Sequence, residues 1–181
     1  MRCSAALAAL AATVALGPLP CAAAASATTA CANPRLPRSI LDGDPASPSG
    51  APLQVVDVVA SGATLRTAVA DTPALRERGL MCVTALRQSA GMIFVFPSTH
   101  DWDFWMKNTL VPLDMVWIDD DGRIRTIARN VPASTMDEPE DRVARRTGFG
   151  RYVIELRAGE ADRLGLHGGE RLTVPRLHAD E

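Results

Sequence analysis

Met115-Val116-Trp117-Ile118-Asp119-Asp120-Asp121-Gly122-Arg123-Ile124-Arg125-Thr126-Ile127-Ala128 is the stretch on which the fold turns. Met115 to Asp119 and Arg123 to Ala128 are rich in residues that favour extended backbone, and Asp120-Asp121-Gly122 between them suits a tight turn, so the stretch predicts a β-hairpin. The same signature recurs outward from it. Gln54 to Val59 and Thr64 to Ala70 flank Ser61-Gly62 as a second hairpin, and Met92 to Phe96, Asp103 to Lys107, Tyr152 to Arg157 and Arg171 to Val174 are further strands. Helical segments are short. Thr72 is a natural N-cap with Pro73 at the first helical position, Gly79 stops that helix about two turns later, and Ala85 to Gln88 suit a further turn. Ala158 to Leu164 is a second helix, stopped by Gly165. About eight short strands with two or three short helices predict a compact α+β domain, predominantly β, with a distorted barrel-like sheet.

A chain of 181 residues, 47% of them hydrophobic, can bury one ordinary core and is short for two. The formal net charge of −2 gives no basic footprint for a phosphate backbone, which argues against nucleic acid as a partner. Residues 1–25 have the pattern of a secretory signal peptide. Arg2 supplies a positive start, Ala5 to Leu16 an apolar run too short to span a bilayer, Gly17, Pro18 and Pro20 a break, and Ala23-Ala24-Ala25 a small-residue cleavage site. Periplasmic or extracellular export is the expectation, with no transmembrane segment left once the signal is removed. Lipidation at Cys21 ranks below simple export, because Pro18 and Pro20 stand where small residues precede a lipidated cysteine.

Export sets the redox setting for the cysteines. Cys3 and Cys21 leave with the signal, and the remaining Cys31 and Cys82 either pair or stay independent; a bridge closing so long a loop contributes roughly 4 kcal/mol when unstrained. Residues 26–52 are a Pro/Ala/Ser-rich linker, expected to be disordered, with Pro34, Pro37, Pro45, Pro48 and Pro52 spaced through it and little apolar surface to offset ordering. The folded domain is expected over 53–175, followed by a tail at 176–181.

Inside that domain, Arg78-Gly79-Leu80-Met81, then Gly91-Met92-Ile93-Phe94-Val95-Phe96, then Phe104-Trp105-Met106-Lys107-Asn108-Thr109 with Pro112-Leu113-Asp114-Met115, and finally Tyr152-Val153-Ile154-Glu155-Leu156 resemble the domain of unknown function 192 family. The resemblance implies a small exported or membrane-associated β-rich domain of bacteria and archaea, and brings no activity with it. Cys82 stands where such proteins more often carry an aromatic residue or histidine.

Candidate site residues follow from the chemistry of these motifs. If Asp103 to Thr109 is extended, Trp105, Lys107 and Thr109 share one face and Phe104, Met106 and Asn108 the other. Such a strand either lines a shallow pocket, with Trp105 as a platform and Lys107 and Asn108 as hydrogen-bonding groups, or packs its indole while Lys107 snorkels to water and Asn108 satisfies a turn. Asp114 lies in an apolar run, and a carboxylate there needs a partner, for which Lys107, Arg78 or the amides around Asn108 are candidates. Glu155 poses the same question between Ile154 and Leu156. Alternation puts it with Val153 and Arg157, and an exposed face is one answer for that side. Convergence of Arg78, Trp105, Lys107, Asn108, Asp114 and Glu155 makes a ligand site, whereas each alone makes an ordinary ion pair.

Three functional classes stand side by side. The first is a module that binds a small molecule or envelope component, with no catalytic residues and no cofactor. The second is an envelope hydrolase using Asp114 and Glu155, which requires the two carboxyls within ~10 Å of each other. The third is a Cu(I)-binding protein using Met106, Met115 and Cys82, soft ligands that also serve as ordinary core fillers. The chain has three histidines, His100, His167 and His178, none at zinc-site spacing, and no nucleophile elbow or phosphate loop. The binding module is therefore favoured over the enzyme.

Overall fold

The computed structural model describes residues 53–60 and 62–179. The expected signal segment 1–25 with Cys21, the expected linker 26–52 with Cys31, Ser61 and residues 180–181 lie outside the described residues. The elements are β1 (Val55–Ala60), β2 (Ala63–Ala70), α1 (Pro73–Arg78), β3 (Ala90–Trp105), β4 (Leu113–Ile118), β5 (Ile124–Val131), β6 (Arg145–Arg157) and α2 (Glu160–Arg163). The strands form one mixed sheet in the order β1-β2-β3-β6-β4-β5. Only β2 and β3 run parallel; the other neighbours are antiparallel. A parallel step needs a long crossover, and α1 with the segment after it supplies one.

The β4–β5 hairpin forms where its sequence places it. Ile118 pairs with Ile124, Gly122 takes the left-handed conformation at φ 78°, and Asp119 Oδ1 accepts hydrogen bonds from the amides of Asp121 at 3.0 Å and Arg123 at 2.8 Å. Helix α1 also keeps its expected ends. The Thr72 hydroxyl accepts from the Leu75 amide at 3.3 Å, Pro73 opens the first turn, and Gly79 closes the helix at φ 44°.

Among the described residues there are six strands in place of the expected eight. Met92 to Phe96 and Asp103 to Lys107 are the two ends of a single strand, β3, which continues through Pro97 and absorbs a register shift against β6 between Val95 and His100. The final expected strand contributes only isolated bridges, Arg123 to Arg171 and Val59 to Thr173. The sheet is open, with β1 and β5 as its edges, rather than a closed barrel. The Arg171–Thr173 segment nevertheless touches both the end of β1 and the start of β5 through those bridges.

Both faces of the sheet are covered, and so its central strands are apolar without alternation. Every residue of β4 is buried. On one face Met92, Phe94, Phe104, Met115, Trp117 and Val153 form a core closed by Leu80, Val83 and Leu86 from the segment after α1. On the other, Ile93, Val95, Val116, Ile118, Ile154 and Leu156 pack under Ala161 and Leu164 of the α2 region and Leu172 and Leu177 of the C-terminal segment.

Candidate functional site

Helix α1 ends beside the first of these cores. A Cβ on Gly79 would stand 3.2 Å from the Phe94 ring, so the chain passes close over the sheet before Leu80 turns in. Arg76 is committed locally. Its guanidinium donates to the carbonyls of Asp71 at 2.5 Å and Val95 at 2.9 Å and lies over the Phe96 ring, 5.4 Å from its centroid. Between this helix end, the far half of β3 and β6 opens a cleft of about 190 Å³.

The cleft gathers four of the residues singled out in the sequence: Arg78, Trp105, Lys107 and Glu155. Aromatic rings wall it. Phe94 meets Phe104 edge-on at 4.9 Å, Phe96 stacks on Trp102 at 3.9 Å, and the Arg145 guanidinium lies 5.2 Å from the Trp105 centroid. The contributions of Phe94, Phe96 and Trp102 were not anticipated as site residues. Their signal lay in the period-two spacing of Phe94 and Phe96, which fixes one shared face.

Lys107 is not on a strand. Strand β3 stops at Trp105, Lys107 and Asn108 form a turn, and Asn108 takes φ 55°. The expected alternation therefore ends at Trp105, and Met106, Asn108 and Thr109 are all buried. Lys107 Nζ donates to the Glu138 carbonyl at 2.7 Å. Asn108 serves the loop instead of the cleft: its carbonyl accepts from the Cys82 amide at 2.8 Å, and its Nδ2 lies 3.2 Å from Cys82 Sγ.

Glu155 occupies the middle of β6, directly across from Met92 of β3 and Met115 of β4. Directly paired residues share a face, so the carboxyl stands between two methionines on the first core rather than on an exposed side. It is 4% exposed, and no hydrogen bond or ion pair reaches its carboxyl among the described residues. Burial alone raises its pKa from the usual carboxylate range to about 8. At neutral pH it is a carboxylic acid, carrying a proton to donate as well as a carbonyl oxygen to accept.

Asp114 lies elsewhere. It pairs with Leu156, one residue on from Glu155, and therefore faces the opposite side of the sheet. Its partners are neither Lys107 nor Arg78. Oδ1 accepts from the Asn130 amide and Oδ2 from the Ala161 amide, each at 2.8 Å, which fixes the end of β5 and the start of α2. A fully buried carboxylate satisfied by two amides is a structural clamp. The two carboxyls considered for hydrolysis thus do not meet.

Met106 and Met115 are fully buried in the first core, and the Cys82 sulfur is held in a disulfide whose partner lies outside the described residues. Among the described residues, no cluster of three or more His, Cys, Asp or Glu side chains is placed to hold a metal. No helix among them is long and apolar enough to cross a membrane.

A small β-rich domain with an aromatic cleft over a buried carboxyl defines the class of this protein. The model of the DUF192 family, described as Uncharacterized ACR, COG1430, matches residues 56–174, and the chain belongs to that family. No curated protein matches it. Two solved structures are similar. One, described as a putative transcription regulator from Sinorhizobium meliloti, shares 38% identity at a TM-score of 0.54, over 65% of this chain and 89% of its own. The other, a protein of unknown function from Novosphingobium aromaticivorans, shares 35% identity at a TM-score of 0.57, over 67% of this chain and 86% of its own.

Proposed function

We propose that this chain is an exported protein of the bacterial envelope that binds a small molecule in the cleft between α1, the far half of β3 and β6. The observation that carries this is Glu155. Its carboxyl has no partner among the described residues and opens into the cleft, so an occupant can hydrogen-bond it directly. The aromatic wall offers apolar contact, and Lys107 and Arg78 line the same space. Export is supported by the pattern of residues 1–25 and by the disulfide at Cys82, a bond that persists in oxidising compartments. The description of the S. meliloti structure as a regulator is not carried over, because a net charge of −2 supplies no basic footprint for DNA.

A thermal-shift screen of small polar and aromatic compounds on the purified protein tests the binding. At least one compound is expected to raise Tm and to lose its effect in Lys107→Ala or Glu155→Leu, with the basal Tm of Lys107→Ala close to wild type. Hits that survive both substitutions place the binding elsewhere and end the proposal. Cell fractionation tests the location, and recovery of the chain in the cytoplasm with its first 25 residues intact counts against export.

A further inference from the structure

We propose that the occupant of the cleft is a compact organic acid, about one ring in size, whose carboxylate is held by Lys107 while an oxygen at its far end hydrogen-bonds the Glu155 carboxyl. The inference rests on the cleft being a binding site and adds the chemical class of what enters it. Size sets the first limit. A cleft of about 190 Å³ seats a group about one substituted ring in size, and anything longer extends out through its open side.

Charge sets the second. The acidic residues lining the cleft besides Glu155 are Glu77 and Asp103. Asp103 is already committed, its two oxygens 3.0 Å from Arg145 Nη1 and 3.0 Å from Thr147 Oγ1. Glu77 is exposed on α1. Of the cations, Arg76 is spent on two carbonyls and a ring, and Arg78 lines the cleft beside it. Lys107 is hydrogen-bonded to a neutral carbonyl, not a carboxylate, so its charge is available to an anion.

The buried acid sets the third. Glu155 holds its proton at neutral pH, so it does not repel an anion arriving from the rim, and it presents an O–H without an acceptor. A hydroxyl or carbonyl oxygen on the ligand fills that role. A ligand carrying ammonium instead would meet Lys107 and Arg78 at the mouth and leave the Glu155 proton unused. The aromatic walls from Phe94, Phe104 and Trp105 accept the apolar body between the two polar ends.

Four probes of similar size separate these demands: 4-hydroxybenzoate, benzoate, phenol and benzylamine, titrated calorimetrically into the purified full chain. At pH 7 the expected order is 4-hydroxybenzoate tightest, benzoate next and benzylamine weakest, with a loss of about tenfold for each missing polar contact. Lys107→Ala should bring 4-hydroxybenzoate down to the level of phenol, leave benzoate about tenfold below it and leave phenol unchanged. Glu155→Gln, which keeps a donor and an acceptor but no titrating proton, should still bind 4-hydroxybenzoate and should abolish the decline in wild-type affinity between pH 7 and pH 9. Phenol or benzylamine binding as tightly as the acids, with sensitivity to Glu155→Leu, overturns the acid while leaving the cleft as a binding site. Acids that bind with undiminished affinity to Lys107→Ala overturn the assignment of the rim contact. If none of the four binds, the acid class fails, and the broader screen alone decides the cleft.

Discussion

Glu155 and Asp114 are buried carboxyls one register step apart on adjacent strands, yet their chemistry is opposite. Asp114 receives two amide hydrogen bonds, whereas Glu155 receives none among the described residues. The consequence for Glu155 is a pH-dependent stability whose sign is fixed. Unfolded, its carboxyl ionises near 4.5; folded, it keeps the proton to about 8. Between those values this group binds more proton in the folded chain than in the unfolded one, so its contribution to stability is greatest below pH 4.5 and falls as pH rises to about 8. The loss from this one group is on the order of 4 kcal/mol. Glu155→Met inserts a thioether between Met92 and Met115 and removes the titration. Urea denaturation at pH 5, 6.5 and 8 should show the variant gaining steadily on the wild type as pH rises. Parallel curves would falsify the buried neutral acid. Sequence marked both carboxyls as needing partners, since each sits in an apolar run. It had no means of telling that Asp114 finds backbone amides and Glu155 an opening, because that difference depends on Ala161, Asn130 and the end of α1, all distant along the chain.

At the scale of elements, β3 and β6 are longer than any local pattern marks. Beyond the register shift, residues 100–105 of β3 pair with 145–150 of β6 and fold over Trp117, whose Nε1 donates to the Trp102 carbonyl at 3.3 Å. Gly148 makes the close passage feasible, since a Cβ there would lie 2.5 Å from the Trp117 ring. Gly148→Ala should therefore cost about 1–3 kcal/mol by overpacking. Gly168→Ala is the control, because nothing lies within 4 Å of its Cβ position. Equal losses at the two sites in chemical denaturation would mean that the Trp117 contact yields without cost. Elements with local signals were legible. The capped helix α1, the Asp-Gly turn and the two hairpins each depend on a few adjacent residues. The 145–151 half of β6 was not, since Arg145-Arg146-Thr147-Gly148-Phe149-Gly150 has neither apolar alternation nor strand propensity and is extended only because β3 pairs with it. The lost alternation at Lys107 has the same cause: Asn108 takes a left-handed turn to meet Cys82, a residue far back in the chain.

Across the whole molecule, the sheet's two edges are the weak points, and the C-terminal segment covers part of each. The Val59 amide donates to the Thr173 carbonyl at 3.1 Å and the Thr173 amide returns a bond to Val59 at 2.9 Å, while the Ile124 amide donates to the Glu170 carbonyl at 2.8 Å. Leu172 and Leu177 from the same segment are buried in the second core. Sequence marked this stretch as a strand within a barrel. Its isolated bridges are a looser fastening than a paired strand, with two backbone hydrogen bonds to Val59 and three to Gly122 and Ile124. Such a fastening blocks edge-to-edge pairing with other chains without a full ladder of hydrogen bonds. Thr173→Pro tests it directly, since proline removes the amide that bonds Val59 and the Thr173 side chain is exposed. The loss should be about 1–3 kcal/mol, with Thr173→Ala near neutral because it keeps that amide. Hydrogen exchange gives the spatial readout: the Val59 amide should lose protection in the proline variant while Gly91 to Val95, deep in the β3–β6 pairing, stay protected. If protection falls equally at Gly91 to Val95, the C-terminal segment belongs to the one cooperative unit that holds the cleft. Ligand affinity at Lys107 and Glu155 should then weaken in the same variant, although neither residue touches the substitution.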